Sequence, residues 1–160
     1  MIVMKDYKET IGEMLTDRGV CYDILQVPKE TDVTGLTCIV APDLVYHYDG
    51  KVGVNEIKSI LDTIGKGVIL VTDGAPSAHA RRVLAECAMD VNHFTTAELR
   101  YNVARHPLQP KFELVRKAAG FDEYAQMSAT DPVARYFNAQ RGDVFVITRR
   151  TGARAFRKVH

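Results

Sequence analysis

Two aspartates and a lysine offer the sharpest chemistry in the chain. Pro42-Asp43, followed by Asp49-Gly50-Lys51, matches in outline the constellation in which two carboxylates hold Mg²⁺ and a lysine assists attack on a phosphodiester. Such carboxylates usually stand farther apart, on adjoining strands, and Asp-Gly between strand-like runs is the commonest hairpin signal. The turn is therefore the stronger reading. Gly65-Lys66-Gly67 lacks the spacing and the Lys-Ser/Thr ending of a phosphate loop and reads as a helix stop. His47, His79, His93, His106 and His160 form no pair at metal-ligand spacing, so neither a metal nor a cofactor is expected. Arg149, Arg150, Arg154, Arg157 and Lys158 are the densest basic cluster. They suit phosphate contact, pairing with an acidic protein surface, or a solvated hairpin rim.

The elements that must carry these residues alternate between helix and strand. Tyr7, Ile11, Met14 and Leu15 share one helical face that ends at Gly19, and residues 20–27 then favour an extended strand. Residues 36–40 and 44–48 read as two more strands, with Tyr46 and Tyr48 on one face as packing residues rather than a stacking platform for bases. Ile57, Ile60, Leu61 and Ile64 predict a helix capped by Asn55 and closed by Gly65. Residues 68–72 are a buried-type strand. The loop from Asp73 then leads to a helix with the stripe Ala80, Val83, Leu84 and Cys87, for which Ser77 is the cap. This order implies a sheet covered by helices, an α/β fold.

His106-Pro107-Leu108-Gln109-Pro110 interrupts any regular element and marks a boundary between domains 1–105 and 106–160. Beyond it the sequence predicts a short helix over residues 112–119, stopped by Gly120, and then a second helix and strands. Charge changes sign near the same place. Residues 1–100 carry 10 basic and 15 acidic groups and residues 101–160 carry 11 and 5. The overall +1 thus hides an acidic first part and a basic last part, which points to a nucleic-acid or acidic-protein partner for the latter. Cys21, Cys38 and Cys87, odd in number and widely spaced, read as reduced core thiols. No run reaches the roughly 18 apolar residues of a membrane span and no signal-peptide pattern is present, so a soluble intracellular protein is expected.

Asp131-Pro132-Val133-Ala134-Arg135-Tyr136-Phe137, followed by Arg141-Gly142-Asp143-Val144, is the most specific stretch. Asp131 can cap a helix whose first residue, Pro132, lacks an N–H that would be orphaned anyway. Gly142-Asp143 then turns the chain into the apolar, β-branched run 144–148. This unit resembles the C-terminal domain of the fifth subunit shared by eukaryotic nuclear DNA-directed RNA polymerases, a family with an archaeal homologue; the family pattern is DPVARY(F/Y)G, then (K/R)RG, then a hairpin. The resemblance extends upstream through Asp17-Arg18-Gly19, Val52-Gly53-Val54-Asn55-Glu56-Ile57-Lys58, Pro76-Ser77-Ala78, and the spacing of Phe94, Glu98-Leu99, Asn102, His106, Leu108 and Pro110. In all it covers about 140 residues.

The resemblance implies a nuclease-like jaw domain of α/β fold followed by a small mixed α/β (α+β) assembly domain, without catalytic activity. It implies that Asp131, Pro132, Val133, Ala134, Arg135, Tyr136, Arg141 and Gly142 face the largest polymerase subunit, with the sixth nearby. Gly74, Ala75, Pro76 and Ser77 would lie beside downstream duplex DNA and contact it without regard to sequence. The location would be the nucleus for a cellular protein, or the cytoplasmic factory or virion for a viral one. Ala75 replaces a Thr of the family's T-P-S-A loop, Asn138 stands where the family has Gly, and the stretch between Pro110 and Asp131 and the last hairpin are short. These departures favour a divergent polymerase, and leave a cellular or a viral source open. Two other readings stand beside it: a free DNA-binding or nuclease-fold protein using Asp43, Asp49 and Lys51, and an unrelated interaction module.

Overall fold

Residues 4–41, 43–120 and 123–160 are described by the computed structural model of the chain. Two compact units divide it, one of residues 6–8 and 20–100, the other built on residues 9–19 and 101–160. The first helix, α1 (Tyr7–Asp17), buries Ile11, Met14 and Leu15, the stripe expected from its spacing. Most of α1 belongs to the unit of residues 101–160, although the sequence boundary at 105 placed it with the earlier residues. Polar bonds tie it there: Glu13, Asp17 and Arg18 bond to Asn102, Arg105 and Tyr136.

The unit of residues 20–100 holds a five-stranded sheet in the order β1 (Asp23–Glu30), β2 (Leu36–Ala41), β3 (Val45–Tyr48), β4 (Ile69–Thr72) and β5 (Asn92–Thr95). The first three strands are antiparallel, and β3, β4 and β5 run parallel because α2 (Val54–Thr63) and α3 (Ala78–Glu86) make the crossovers. One sheet face presents Leu36, Cys38, Tyr46, Tyr48 and Leu70 to Ile57, Ile60 and Leu61 of α2 and Ala80 of α3, so both tyrosines pack a core as expected. β1 starts later than expected and runs through Pro28, which an edge strand tolerates; its register slips between Ile24 and Lys29. Asn55 does not cap α2. The Gly53 carbonyl already accepts from the Ile57 N–H at 3.1 Å, and Gly53 is an N-cap without a side-chain bond. Ser77 does cap α3, accepting from the Ala80 N–H at 3.2 Å.

Of the three thiols, Cys38 is buried and Cys87 half-buried, but Cys21 is exposed and is not a core thiol. Among the described residues no helix is long and apolar enough to cross a membrane.

The second unit holds a four-stranded sheet, β6 (Lys111–Val115), β8 (Val144–Thr148), β9 (Arg154–Val159) and β7 (Gln126–Met127) in spatial order, with the five-residue helix α4 (Pro132–Tyr136) against it. Residues 111–115 are a strand, not the start of the helix expected over 112–119. Phe112 and Leu114 turn inward opposite Ile147 and Phe145, while Lys111, Glu113 and Val115 face out, a period of two that the short apolar run concealed. Lys117 at φ +47° then breaks the chain away from the strand. β8 and β9 form the expected hairpin, and Gly142 reaches φ +94°, a value that its lack of a Cβ makes accessible.

The mixed α/β (α+β) character of both units is thus as expected. Asp131 accepts from the Val133 N–H at 2.8 Å, so Asp131→Ala should lower stability by about 1 kcal/mol. Chemical denaturation followed by circular dichroism checks this; a variant as stable as the parent would show that the cap contributes nothing.

Candidate functional site

Helix α4 is far too short to persist by itself, because nucleating a turn costs more than five residues return. It is held from one side by α1. The buried Tyr136 hydroxyl, in a side chain 2% exposed, donates to Asp17 Oδ2 at 2.7 Å and accepts from Asn102 Nδ2 at 2.8 Å. Asn102 Nδ2 also donates to Glu13 Oε2 at 2.9 Å, while its Oδ1 accepts the backbone N–H groups of Ala104 and Arg105. Arg105 grips Asp17 with Nε at 3.0 Å and Nη2 at 2.5 Å, a two-point guanidinium-carboxylate pair. Arg18 closes the group at the C-terminal end of α4, donating to the backbone carbonyl of Tyr136 at 2.7 Å and to that of Arg135 at 2.9 Å, which also accepts the Asn138 N–H.

Behind α4 a second set of bonds fixes the turn. The Asp143 carboxylate, 1% exposed, accepts the N–H groups of Gln140 at 2.8 Å and Lys117 at 3.0 Å and the Arg116 Nη1 at 2.8 Å. Arg116 Nη1 also donates to the carbonyl of Asn138, which sits at φ +48° as expected for a residue replacing Gly. Burial works to raise the Asp143 pKa; the two N–H bonds and the arginine outweigh it and hold it below the ordinary carboxylate value. The segment from Asp131 to Asp143 is therefore fixed on two sides by charged groups from α1 and from the end of β6.

The expected interface residues divide sharply. Val133, Ala134 and Tyr136 are buried within their own unit, Asp131 is half-buried as a cap, and Pro132 and Arg141 are exposed, with Arg135 and Gly142 intermediate. In the loop after β4, Gly74, Ala75 and Ser77 are exposed and Pro76 is buried. Asp43 is exposed at φ +44° and pairs with Lys29 at 3.3 Å, Asp49 and Lys51 are exposed, and Pro42 lies outside the described residues. Among the described residues no group of three His, Cys, Asp or Glu side chains is placed to hold a metal ion. Glu13, Arg105 and Arg116 escaped the sequence reading, since each is an unremarkable surface charge until folding brings its partner across the chain.

Residues 121–157, which contain α4 and most of the hairpin, match the family model described as RNA polymerase Rpb5, C-terminal domain. The likeness extends well beyond this segment. The chain is 29% identical over 184 aligned residues to the Caenorhabditis elegans DNA-directed RNA polymerases I, II, and III subunit RPABC1, covering 89% of this chain and 86% of the relative. It is 29% identical over 172 residues to the Dictyostelium discoideum subunit rpabc1, covering 89% and 87%. A protein of Invertebrate iridescent virus 6 named as a putative DNA-directed RNA polymerase subunit, 454R, is 27% identical over 111 residues, 58% of this chain and 60% of that one. The resemblance to the shared fifth subunit read from the sequence is borne out, with a viral relative beside the cellular ones.

The charged network sets the pH response of the second unit. Burial alone would raise the Asp17 and Glu13 pKa values. Hydrogen bonds from Arg105 and Tyr136 to the first, and from Lys5 and Asn102 to the second, bring both below their ordinary 3.8 and 4.5. Their contribution is complete above those values and is lost as the pH falls through the lower folded-state values. Burial, and then the bond to Asp17, raises the Tyr136 pKa above 10.0, so its contribution is complete below that pH and lost as the pH rises through the folded-state value. Tyr136→Phe should cost about 1–2 kcal/mol at neutral pH, flatten the alkaline limb, and weaken the acid limb only in part, because Asp17 loses the phenol but keeps Arg105. Denaturation across the pH range measures both, and an unchanged alkaline limb would separate the phenol from that response.

Proposed function

We propose that the chain is a non-catalytic subunit of a DNA-directed RNA polymerase, with catalysis carried by other subunits. The observation that carries this reading is the coincidence of the family match over residues 121–157 with the segment that two bond networks hold rigid. The similarity to RPABC1 proteins over 89% of the chain supports extending it to both units. A preformed attachment surface loses little conformational freedom when it docks, which is what a permanent subunit requires. In this reading the unit of residues 101–160 is the assembly domain and anchors to the largest subunit, with the sixth subunit close by. The attaching surface runs over Pro132, Arg135 and Arg141, supported from within by Val133, Ala134 and Tyr136. A nuclear location follows for a cellular enzyme, and a cytoplasmic factory or virion for a viral one.

The unit of residues 20–100 would serve as the jaw, forming part of the downstream DNA channel. Gly74 and Ala75 permit close approach of backbone to backbone, and the start of α3 at Ser77 supplies N–H groups that suit a phosphate. Contacts of this kind position duplex DNA, are indifferent to its sequence and weaken with salt.

Purification of the native protein should recover it with large polymerase subunits. The double reversal Arg135→Glu and Arg141→Glu should reduce that recovery several-fold without unfolding the isolated protein; elution of the parent wholly as a free chain would overturn the subunit reading.

For the channel, a photo-crosslinker at the exposed Ala75 should label downstream DNA in an assembled elongation complex, and not in a mixture of free subunit and DNA. Equal labelling by the free chain, or none in an active complex, would remove this loop from the channel.

A further inference from the structure

The sheet of the second unit is wider than the helix that covers it. Four strands spaced about 4.8 Å apart span roughly 14 Å, whereas a five-residue helix is only about 7.5 Å long. Beside α4 an open groove of ≈ 700 Å³ remains. Its floor is a contiguous apolar row across three strands, because Phe112 lies opposite Ile147 and Ile147 opposite Ala155. Val103, Met127 and Val133 add apolar walls.

Two lining arginines flank this row. Arg149 is two residues beyond Ile147, just past the end of β8 where its N–H still bonds to the Ala153 carbonyl, and Arg157 is two beyond Ala155 along β9; since the strands are antiparallel, the arginines lie on opposite sides of the row, both lining the groove. At about 3.4 Å per residue their backbones are separated by roughly 14 Å along the strand direction. Among the described residues, neither these two nor their neighbours Arg150 and Arg154 pair with a carboxylate. The lining's one carboxylate among the described residues, Asp131, already caps α4 through Oδ1.

We propose that this groove binds an extended acidic segment of a partner protein with an apolar side chain midway between two carboxylates, in the pattern acid-x-apolar-x-acid. The pattern follows from the geometry. In an extended chain, residues one, three and five face the same side and span about 13 Å, matching a cation, an apolar row and a second cation. The guanidiniums would form charge-assisted bonds to the two carboxylates while the central side chain buries against Phe112, Ile147 and Ala155. A nucleic-acid strand fits less well. It would set phosphates over an apolar floor without partners, and Phe112, the one aromatic in the lining among the described residues, stands edge-on to Phe145 at an interplanar angle of 85°. As a docking site between polymerase subunits the groove rests on the subunit reading above; as a peptide site it does not.

The test uses the full chain and fluorescein-labelled synthetic peptides. GESLSEG should bind saturably, while GESSSEG, without the apolar residue, and GKSLSKG, with the charges reversed, should bind at least about tenfold more weakly. Arg149→Glu and Arg157→Glu, both at exposed positions, should each weaken GESLSEG by a similar factor with circular dichroism unchanged, and the double variant should gain affinity for GKSLSKG. Equal binding of GESSSEG, or affinity unaffected by both reversals, would overturn the proposal. So would displacement of the peptide by a single-stranded DNA oligonucleotide that binds more tightly through the same arginines. Recovery of the chain with polymerase subunits but no peptide binding would sink the groove alone; peptide binding by a chain that elutes free would uphold the groove and sink the subunit reading.

Discussion

A phenol hydroxyl buried among charges is the constraint on which the second unit depends. Tyr136 comes 119 residues after Asp17 and 34 after Asn102, yet its oxygen bonds to both. Each member of the group is fully engaged: the hydroxyl donates once and accepts once, Asn102 donates twice and accepts twice, and Asp17 takes a guanidinium beside the phenol. A partly satisfied cluster would leave a buried donor or acceptor costing about 1–3 kcal/mol, so the arrangement forms as a whole or is strongly disfavoured. It draws most of α1 into a unit otherwise made of residues beyond 100, and it fixes a helix of five residues that propensity could not sustain.

The same economy shapes the rest of that unit. A short helix packed on a four-stranded sheet gives a small core, in which Phe145 meets Phe112 and Phe137 edge to face with ring centroids 6.1 and 5.7 Å apart. Asp143 and Arg116 supply by hydrogen bonding what this core lacks in volume. What the helix leaves uncovered is the groove, and the arginines that border it are among those that make residues 101–160 basic. The unit's open groove thus follows from one geometric fact: its cover is narrower than its sheet.

The unit of residues 20–100 follows a different logic. Its parallel strands need crossover helices, which bury a larger aliphatic layer, and its charged residues stay on the surface. The loop after β4 ends in a capped helix start. Asp43 and Asp49, which the sequence brought forward as carboxylates for Mg²⁺, are a left-handed turn residue paired with Lys29 and an exposed loop residue.

Features that depend on neighbours in the chain were legible in advance. Asp131 capping a helix at Pro132, Ser77 capping α3, the left-handed Asn138, the turn at Gly142 and the hairpin into residues 144–148 are all decided within a few residues, so their chemistry is written locally. The family's motifs could be read for the same reason, and Asp17-Arg18-Gly19 was visible as a motif although its role was not. Features decided by distant partners were not legible. Residues 111–115 have an apolar spacing that serves a helix or a strand, and only pairing with β8 chose the strand. β7 has two residues and no signal of its own until β9 is beside it. Glu13, Asn102, Arg105 and Tyr136 join in one network because folding buries Asn102 and Tyr136 and brings the two charged groups to them from distant parts of the chain, and no spacing along the chain encodes that meeting.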